Sequence, residues 1–181
     1  MRFLTAFAIA STAVLVSSPA GAPSVPTKVE RRAALEAAVV REMNRIRTAK
    51  GLRPLHIAPS LRSAARSHTQ AMLAHDFFGH ASPDGTAFSE RIRRYYTNRG
   101  FATWSVGEAL MAAEGRSVDA RAIVSAWLES PSHRDIVLSP TWRDAGIGVL
   151  YAPSAPREFG GAEAMVVTAD FGLREGRAGT S

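Results

Sequence analysis

The chain has 181 residues and no cysteine, so it must hold together by an apolar core, and neither a disulfide frame nor a thiolate metal site is open to it. Its 22 Lys and Arg against 16 Asp and Glu leave a net charge of +6, but the basic residues are scattered ("ERRAAL", "REMNRIR", "ERIRR", "REGR") rather than gathered on one aromatic-bearing stripe. That pattern reads as a solvated surface and argues against nucleic acid as a partner, leaving weak attraction to an anionic cell envelope.

Residues 1–22 read as a secretory signal peptide. Arg2 is a minimal basic start, "FLTAFAIASTAVLV" an apolar run, and Ala20-Gly21-Ala22 a small-residue cleavage site. The run falls short of the roughly twenty residues a membrane span needs, so no stable span is expected after cleavage, and without cysteine there is no lipoprotein anchor. The mature chain is thus expected to be secreted or periplasmic. Residues 23–34, opening on "PSVPTKV", read as a linker.

From about Arg31, Leu35, Val39, Met43 and Ile46 recur at helical spacing, and Lys50-Gly51 ends that helix. "LRPLHIAPS" is a connection that offers Ser60 as an N-cap. A second helix follows with Leu61, Ala64, Ala65, His68 and Met72 on one face, stopping before Phe77. "FSERIRRYYT" is a shorter helix ended by Asn98-Arg99-Gly100, and "FATWSVGEALM" has the character of a strand. "SVDARAIVSAWLES" is a helix with Ser117 as cap, Asp119 in its first turn, and Ile123, Val124, Trp127 and Leu128 inward. Ser130-Pro131 ends it and starts another short helix. "AGIGVLYA" and "AEAMVVTADFG" are two strands joined by a Pro/Gly-rich loop, an antiparallel pair, and residues 173–181 read as a frayed tail. Few strands among many helices give an α+β class, a small antiparallel sheet covered by helices.

The residues best placed for chemistry lie in or beside loops. His80 sits in "DFFGHASPDG" between the Phe77-Phe78 pair and a turn. Glu108 follows Gly107 in a strand, His133 takes the third position of the helix begun by Pro131, and Glu129 stands four residues before it. A helix N-terminus disfavours imidazolium, and neutral imidazole is the form that binds a transition metal or accepts a proton. Convergence would suit zinc with positions open for water, or a carboxylate orienting a histidine for acid/base work. No local metal motif such as H-E-x-x-H is present, and no G-x-S-x-G elbow supports a serine nucleophile, so no catalytic residue is assigned. His68 reads as a hydrogen-bonded core or lining residue, and His56 and His75 as exposed.

In sequence order, "VVREMNRIRTAKGLRPL", "LRSAARSHTQAML", "DFFGHASPDGTAFSERI", "VGEAL", "AWLESPSHRDIVL", "AGIGV" and "TADFG" resemble the bacterial branch of the CAP superfamily. This is the group of cysteine-rich secretory, antigen 5 and pathogenesis-related proteins, also called SCP domains. The resemblance covers roughly residues 35–172. It implies an α-β-α sandwich with a central antiparallel sheet and a cleft bearing His80, Glu108 and His133, with Glu129 a less well aligned fourth member of the tetrad. It further implies that His80 and His133 bind a divalent metal, Zn2+ being frequent in some members. The family's usual Asn after Gly-Glu is Ala109 here, which removes a polar side chain beside Glu108. The expected function is a non-catalytic binding module, monomeric, taking a metal ion and a small lipid-like or envelope-derived ligand. The alternatives are a metal-dependent extracellular hydrolase with water activated near Glu108, and an interaction protein whose His/Glu cluster is purely structural.

Overall fold

The computed structural model describes residues 28–176, so the signal-peptide reading and most of the linker lie outside the described residues. In chain order the elements are β1 (Glu30–Arg31), α1 (Ala33–Ala49), β2 (His56–Ile57), α2 (Pro59–Ala74), α3 (Phe88–Arg93), β3 (Thr103–Glu114), α4 (Ala120–Glu129), α5 (Pro131–Val137), β4 (Asp144–Ala152) and β5 (Ala164–Glu175). The helices start and stop close to the expected signals, with local corrections. Pro59 occupies the first turn of α2 behind Ala58, so Ser60 is inside the helix and does not cap it. Asp119, not Ser117, caps α4, accepting the Ala122 N–H at 2.8 Å. A carboxylate immediately before the first turn reaches the orphan amide that Ser117 cannot.

The sheet runs β1-β4-β5-β3, antiparallel throughout that path, with β2 paired in parallel to the start of β4. β5 is central and covered on both sides, which explains its nearly unbroken apolar sequence. Two boundary expectations change. Leu173, Arg174 and Glu175 continue β5 against Ser105, Trp104 and Thr103 instead of fraying. Glu30 and Arg31, read as linker, pair with Tyr151 and Leu150, and the first helix begins at Ala33.

Helices α1, α4 and α5 cover one face over Val39, Met43, Trp127, Ile147, Val167 and Phe171. Helices α2 and α3 cover the other over Leu61, Leu73, Leu110, Tyr96 and Val166. This is the expected α-β-α sandwich. Arg47, fully buried on α1, secures the first layer: its guanidinium donates to Val137 O (2.8 Å), Ser139 O (3.0 Å) and Arg53 O (3.0 Å). The carbonyl-rich C-terminus of α5 offsets the buried cation without any carboxylate, and burial holds the guanidinium pKa below its usual range.

The second layer sits unusually close to the sheet. A Cβ built on Gly146 would lie 2.0 Å from Arg62 N, and one on Gly148 would lie 2.7 Å from Ala65 C, so the α2 backbone rests directly on β4. The neighbouring atoms are backbone and cannot rotate aside. Gly146→Ala is therefore expected to cost about 3 kcal/mol or more, or to abolish folding. Denaturant unfolding of the variant beside the parent chain checks this, and a loss below about 1 kcal/mol would contradict the contact.

Candidate functional site

Glu108 lies in the middle of β3 with its side chain fully buried, facing the α2/α3 layer. Gly107 beside it has a structural reason on the opposite face: a Cβ there would meet the Trp142 ring at 2.7 Å. A buried carboxylate must be compensated, and Glu108 is compensated at both oxygens. Oε1 accepts the Nδ1–H of His80 at 2.8 Å, and Oε2 accepts from Nη2 of Arg91, whose side chain is also nearly buried. His68 Nε2 stands 4.0 Å from Oε2.

Three stretches of chain bring these groups together. On α2, His68 donates Nε2–H to the Gly79 carbonyl at 2.9 Å, fixing the backbone one residue before His80. Phe77 tilts against the His68 ring at 5.8 Å between centroids, and Phe78 meets Phe159 edge-on at 6.0 Å. After His80 the chain reverses at Gly85, with φ +83°, where Ser82 N–H donates to Thr86 O at 3.0 Å. On α3, Phe88 packs against the His80 ring at 6.1 Å, and Arg91 follows one turn later on the same face. Burial lowers the His68 pKa, opposed by the Glu108 charge and reinforced by Arg91, so His68 is a neutral strut with its proton on Nε2.

Directly across the ladder from Glu108 is Asp170 of β5. It is completely buried, and neither carboxyl oxygen has a donor partner; Arg91 Nε and Nη1 and His68 Nδ1 are likewise without one among the described residues. Burial, and then the neighbouring Glu108 charge, push the Asp170 pKa well above the usual carboxylate range, with Arg91 pulling in the opposite direction. With no donor to stabilise its charge and a second carboxylate across the ladder, Asp170 is favoured in its protonated form.

His133 is half-buried near the start of α5. Its pKa is lowered, first by burial and then by the charge of His80, so it is neutral and lies within electrostatic reach of His80. Burial, more than the short helix, sets that state. Glu129, at the last position of α4, is exposed and makes no hydrogen bond or ion pair among the described residues. The structure thus joins His80 to Glu108, sets His133 near His80, and leaves Glu129 apart. Among the described residues no three His, Asp or Glu side chains are arranged to hold a metal ion. Sequence reasoning does not single out Arg91 or Asp170. Asp170 had a signal, being a charged residue inside the apolar run "AMVVTADFG"; Arg91 had none among the arginines of "SERIRR".

Two expected outcomes attach to this buried cluster. Arg91→Ala leaves two buried carboxyls without their cation and should cost about 3–5 kcal/mol by denaturant unfolding. Asp170, with its folded-state pKa raised, takes up a proton on folding; its contribution is complete below the unfolded value of about 4 and is lost as pH rises through the folded value. Asp170→Asn should flatten that loss of stability as pH rises above about 4, and parallel melting curves from there upward would show an unchanged slope if Asp170 did not carry it.

The sequence profile of the cysteine-rich secretory protein family, CAP, matches residues 40–168. Bacillus subtilis "Uncharacterized protein YkwD" is 28% identical over 150 residues, 83% of this chain and 53% of that protein, so the chain spans about half the length of this relative. Among solved structures, an outer surface protein of Borrelia burgdorferi aligns with a TM-score of 0.60 at 23% identity, covering 76% of this chain and 90% of that one. An extracellular protein of Bacillus anthracis containing an SCP domain aligns with a TM-score of 0.60 at 23% identity, over 79% of this chain and 41% of that one. A cysteine-rich secretory protein of Staphylococcus aureus aligns with a TM-score of 0.53 at 16% identity, over 77% of this chain and 38% of that one. The two-layered helical cover, the antiparallel sheet and the match over most of the chain agree: this cysteine-free protein belongs to the bacterial CAP, or cysteine-rich secretory protein, family.

Proposed function

We propose that this is a secreted, non-catalytic binding module whose cleft takes a divalent cation such as zinc at His80 and His133, together with a small apolar or envelope-derived ligand. The observation that carries the reading is the commitment of Glu108. With one oxygen on His80 and the other on Arg91, it orients an imidazole and is itself neutralised. Holding the proton on Nδ1 leaves Nε2 bare on a side chain 51% exposed, the carboxylate–histidine arrangement that raises a ligand's basicity. His133 supplies a second neutral imidazole nearby. Two nitrogen ligands leave the other positions of a tetrahedral ion to water or to the incoming molecule, and bound zinc would supply Lewis acidity there. Phe88 against His80 provides an apolar wall for such a molecule.

The same commitment disfavours the hydrolase reading. A general base needs a free lone pair within reach of the water it deprotonates, and both Glu108 oxygens are engaged beneath the surface. Secretion is supported by the tripartite pattern of residues 1–22 and by the outer-surface and extracellular character of the structural relatives. No helix among the described residues is long and apolar enough to cross a membrane.

Zinc titration calorimetry on the parent chain, His80→Ala, His133→Ala, the double variant and Glu108→Gln tests the proposal. The double variant should lose measurable binding, and Glu108→Gln should weaken it about 10–100-fold by releasing His80. Zinc should also raise the melting temperature of the parent, since an ion that binds only the folded state must stabilise it. Unchanged affinity in the double variant would overturn the metal assignment, and zinc-dependent turnover of peptides, esters or glycans would restore the hydrolase.

A further inference from the structure

The sheet carries a recess at the edge away from Glu108. Glu108 belongs to β3 at one edge of the sheet, whereas β4, two strands away, borders the other edge with only β1 and β2 beyond it. Those two strands leave an interval between them: β1 pairs with Leu150 and Tyr151, and β2 with Asp144 and Ala145. The outward backbone groups of β4 alternate. Ala145 O accepts Ala58 N–H, Val149 O accepts Arg32 N–H, and the Val149 N–H turns to Glu36 Oε1 at 3.4 Å. Ile147, midway between them, has no strand partner on that side among the described residues.

A groove of about 390 Å³ opens over this interval, between the start of α1 and the first turns of α2. Its floor is apolar, formed by Val40 and Ile147 with Ile57 at the lip. Ile57 is 48% exposed, one of two large apolar side chains so displayed among the described residues. Its rim is cationic, with Arg31, Arg62 and Arg66 all lining it. Arg66 is held by the buried Glu36, with Nε at 3.0 and 3.2 Å from the two carboxylate oxygens. Arg31 and Arg62 make no ion pair among the described residues. Three guanidinium groups against one carboxylate leave two positive charges unmatched beside an apolar floor.

We propose that this groove is a second binding site, for a small organic phosphate monoester. The dianionic head would pair with Arg31 and Arg62, forks whose geometry suits phosphate oxygens. The apolar body would cover the exposed Ile57. A monoanionic carboxylate would leave one guanidinium unmatched, and a free phosphate ion would leave the floor bare. The volume lies in the range of small-molecule sites. The braced Glu36–Arg66 pair fixes the third cation as part of the wall, so the site needs little rearrangement to form.

Phenyl phosphate is a suitable probe, with inorganic phosphate and phenol as its separate halves. By titration calorimetry with amide chemical-shift mapping on the full folded chain, phenyl phosphate should bind roughly tenfold tighter than inorganic phosphate or better, and phenol should not bind measurably. Shifts should centre on Ile57 and Ile147. The Arg31→Ala/Arg62→Ala double variant should lose about tenfold or more in affinity while keeping the parent's circular dichroism and melting temperature. Ile57→Glu, a change at an exposed position, should abolish binding by placing a negative charge at the lip. His80→Ala/His133→Ala should leave it unchanged, which separates this site from the cleft. No binding of phenyl phosphate at millimolar concentration, equal binding of inorganic phosphate, shifts centred elsewhere, or full affinity in the double arginine variant would each overturn the proposal.

Discussion

A carboxyl pair in the middle of the sheet sets the terms for the layer above it. Glu108 and Asp170 face each other on β3 and β5, both out of water, and an uncompensated charge there would cost several kcal/mol. Compensation has to come from the only described elements that overlie that face, α2, α3 and the loop between them. Arg91 supplies the cation, His80 a hydrogen bond, and His68 a neutral strut that keeps the loop in place. The placing of His80 is thus a consequence of burying acid in a sheet: the imidazole that satisfies one Glu108 oxygen is also the one that reaches solvent.

Rigidity elsewhere makes that arrangement possible without a single disulfide. The α2 backbone is laid on β4 through Gly146 and Gly148, so His68 is carried at a fixed height above the sheet. On the opposite face, Arg47 ties the end of α1 to the carbonyls that close α5, and Trp142 Nε1 donates to Ile136 O at 2.9 Å. These contacts hold α5, and with it His133, although they lie on the other side of the molecule from His68. His80 and His133 are therefore supported by different layers.

Charge distribution distinguishes the Glu108 cluster from the β4-edge groove. The Glu108 cluster is nearly self-neutralised, with Arg91 on one carboxylate oxygen and burial pushing the Asp170 pKa up. The β4-edge groove keeps an excess of guanidinium over an apolar floor.

Most of the fold was legible in the chain itself. Helical spacing marked α1 and α2, the Ser130-Pro131 pair marked the junction of α4 and α5, and the apolar runs marked β4 and β5, since each of these is a local signal of period, breaker or turn. His80, Glu108 and His133 were also visible, as polar residues set beside turns and strand glycines. What the tertiary structure alone decided is which charges meet. Nothing local distinguishes Arg91 from its neighbouring arginines, or ranks Glu129 below Glu108; only the packing of α3 over β3 buries one arginine against the sheet, and only the end of α4 leaves Glu129 in solvent. Short edge strands follow the same logic: β1 and β2 are too brief to carry a period, and they exist because β4 has an open edge to pair with. The sequence by itself determined the elements and the chemistry available to them, because both are properties of neighbours along the chain. Partnership across the core belonged to the folded structure, because compensation of a buried charge is settled in space.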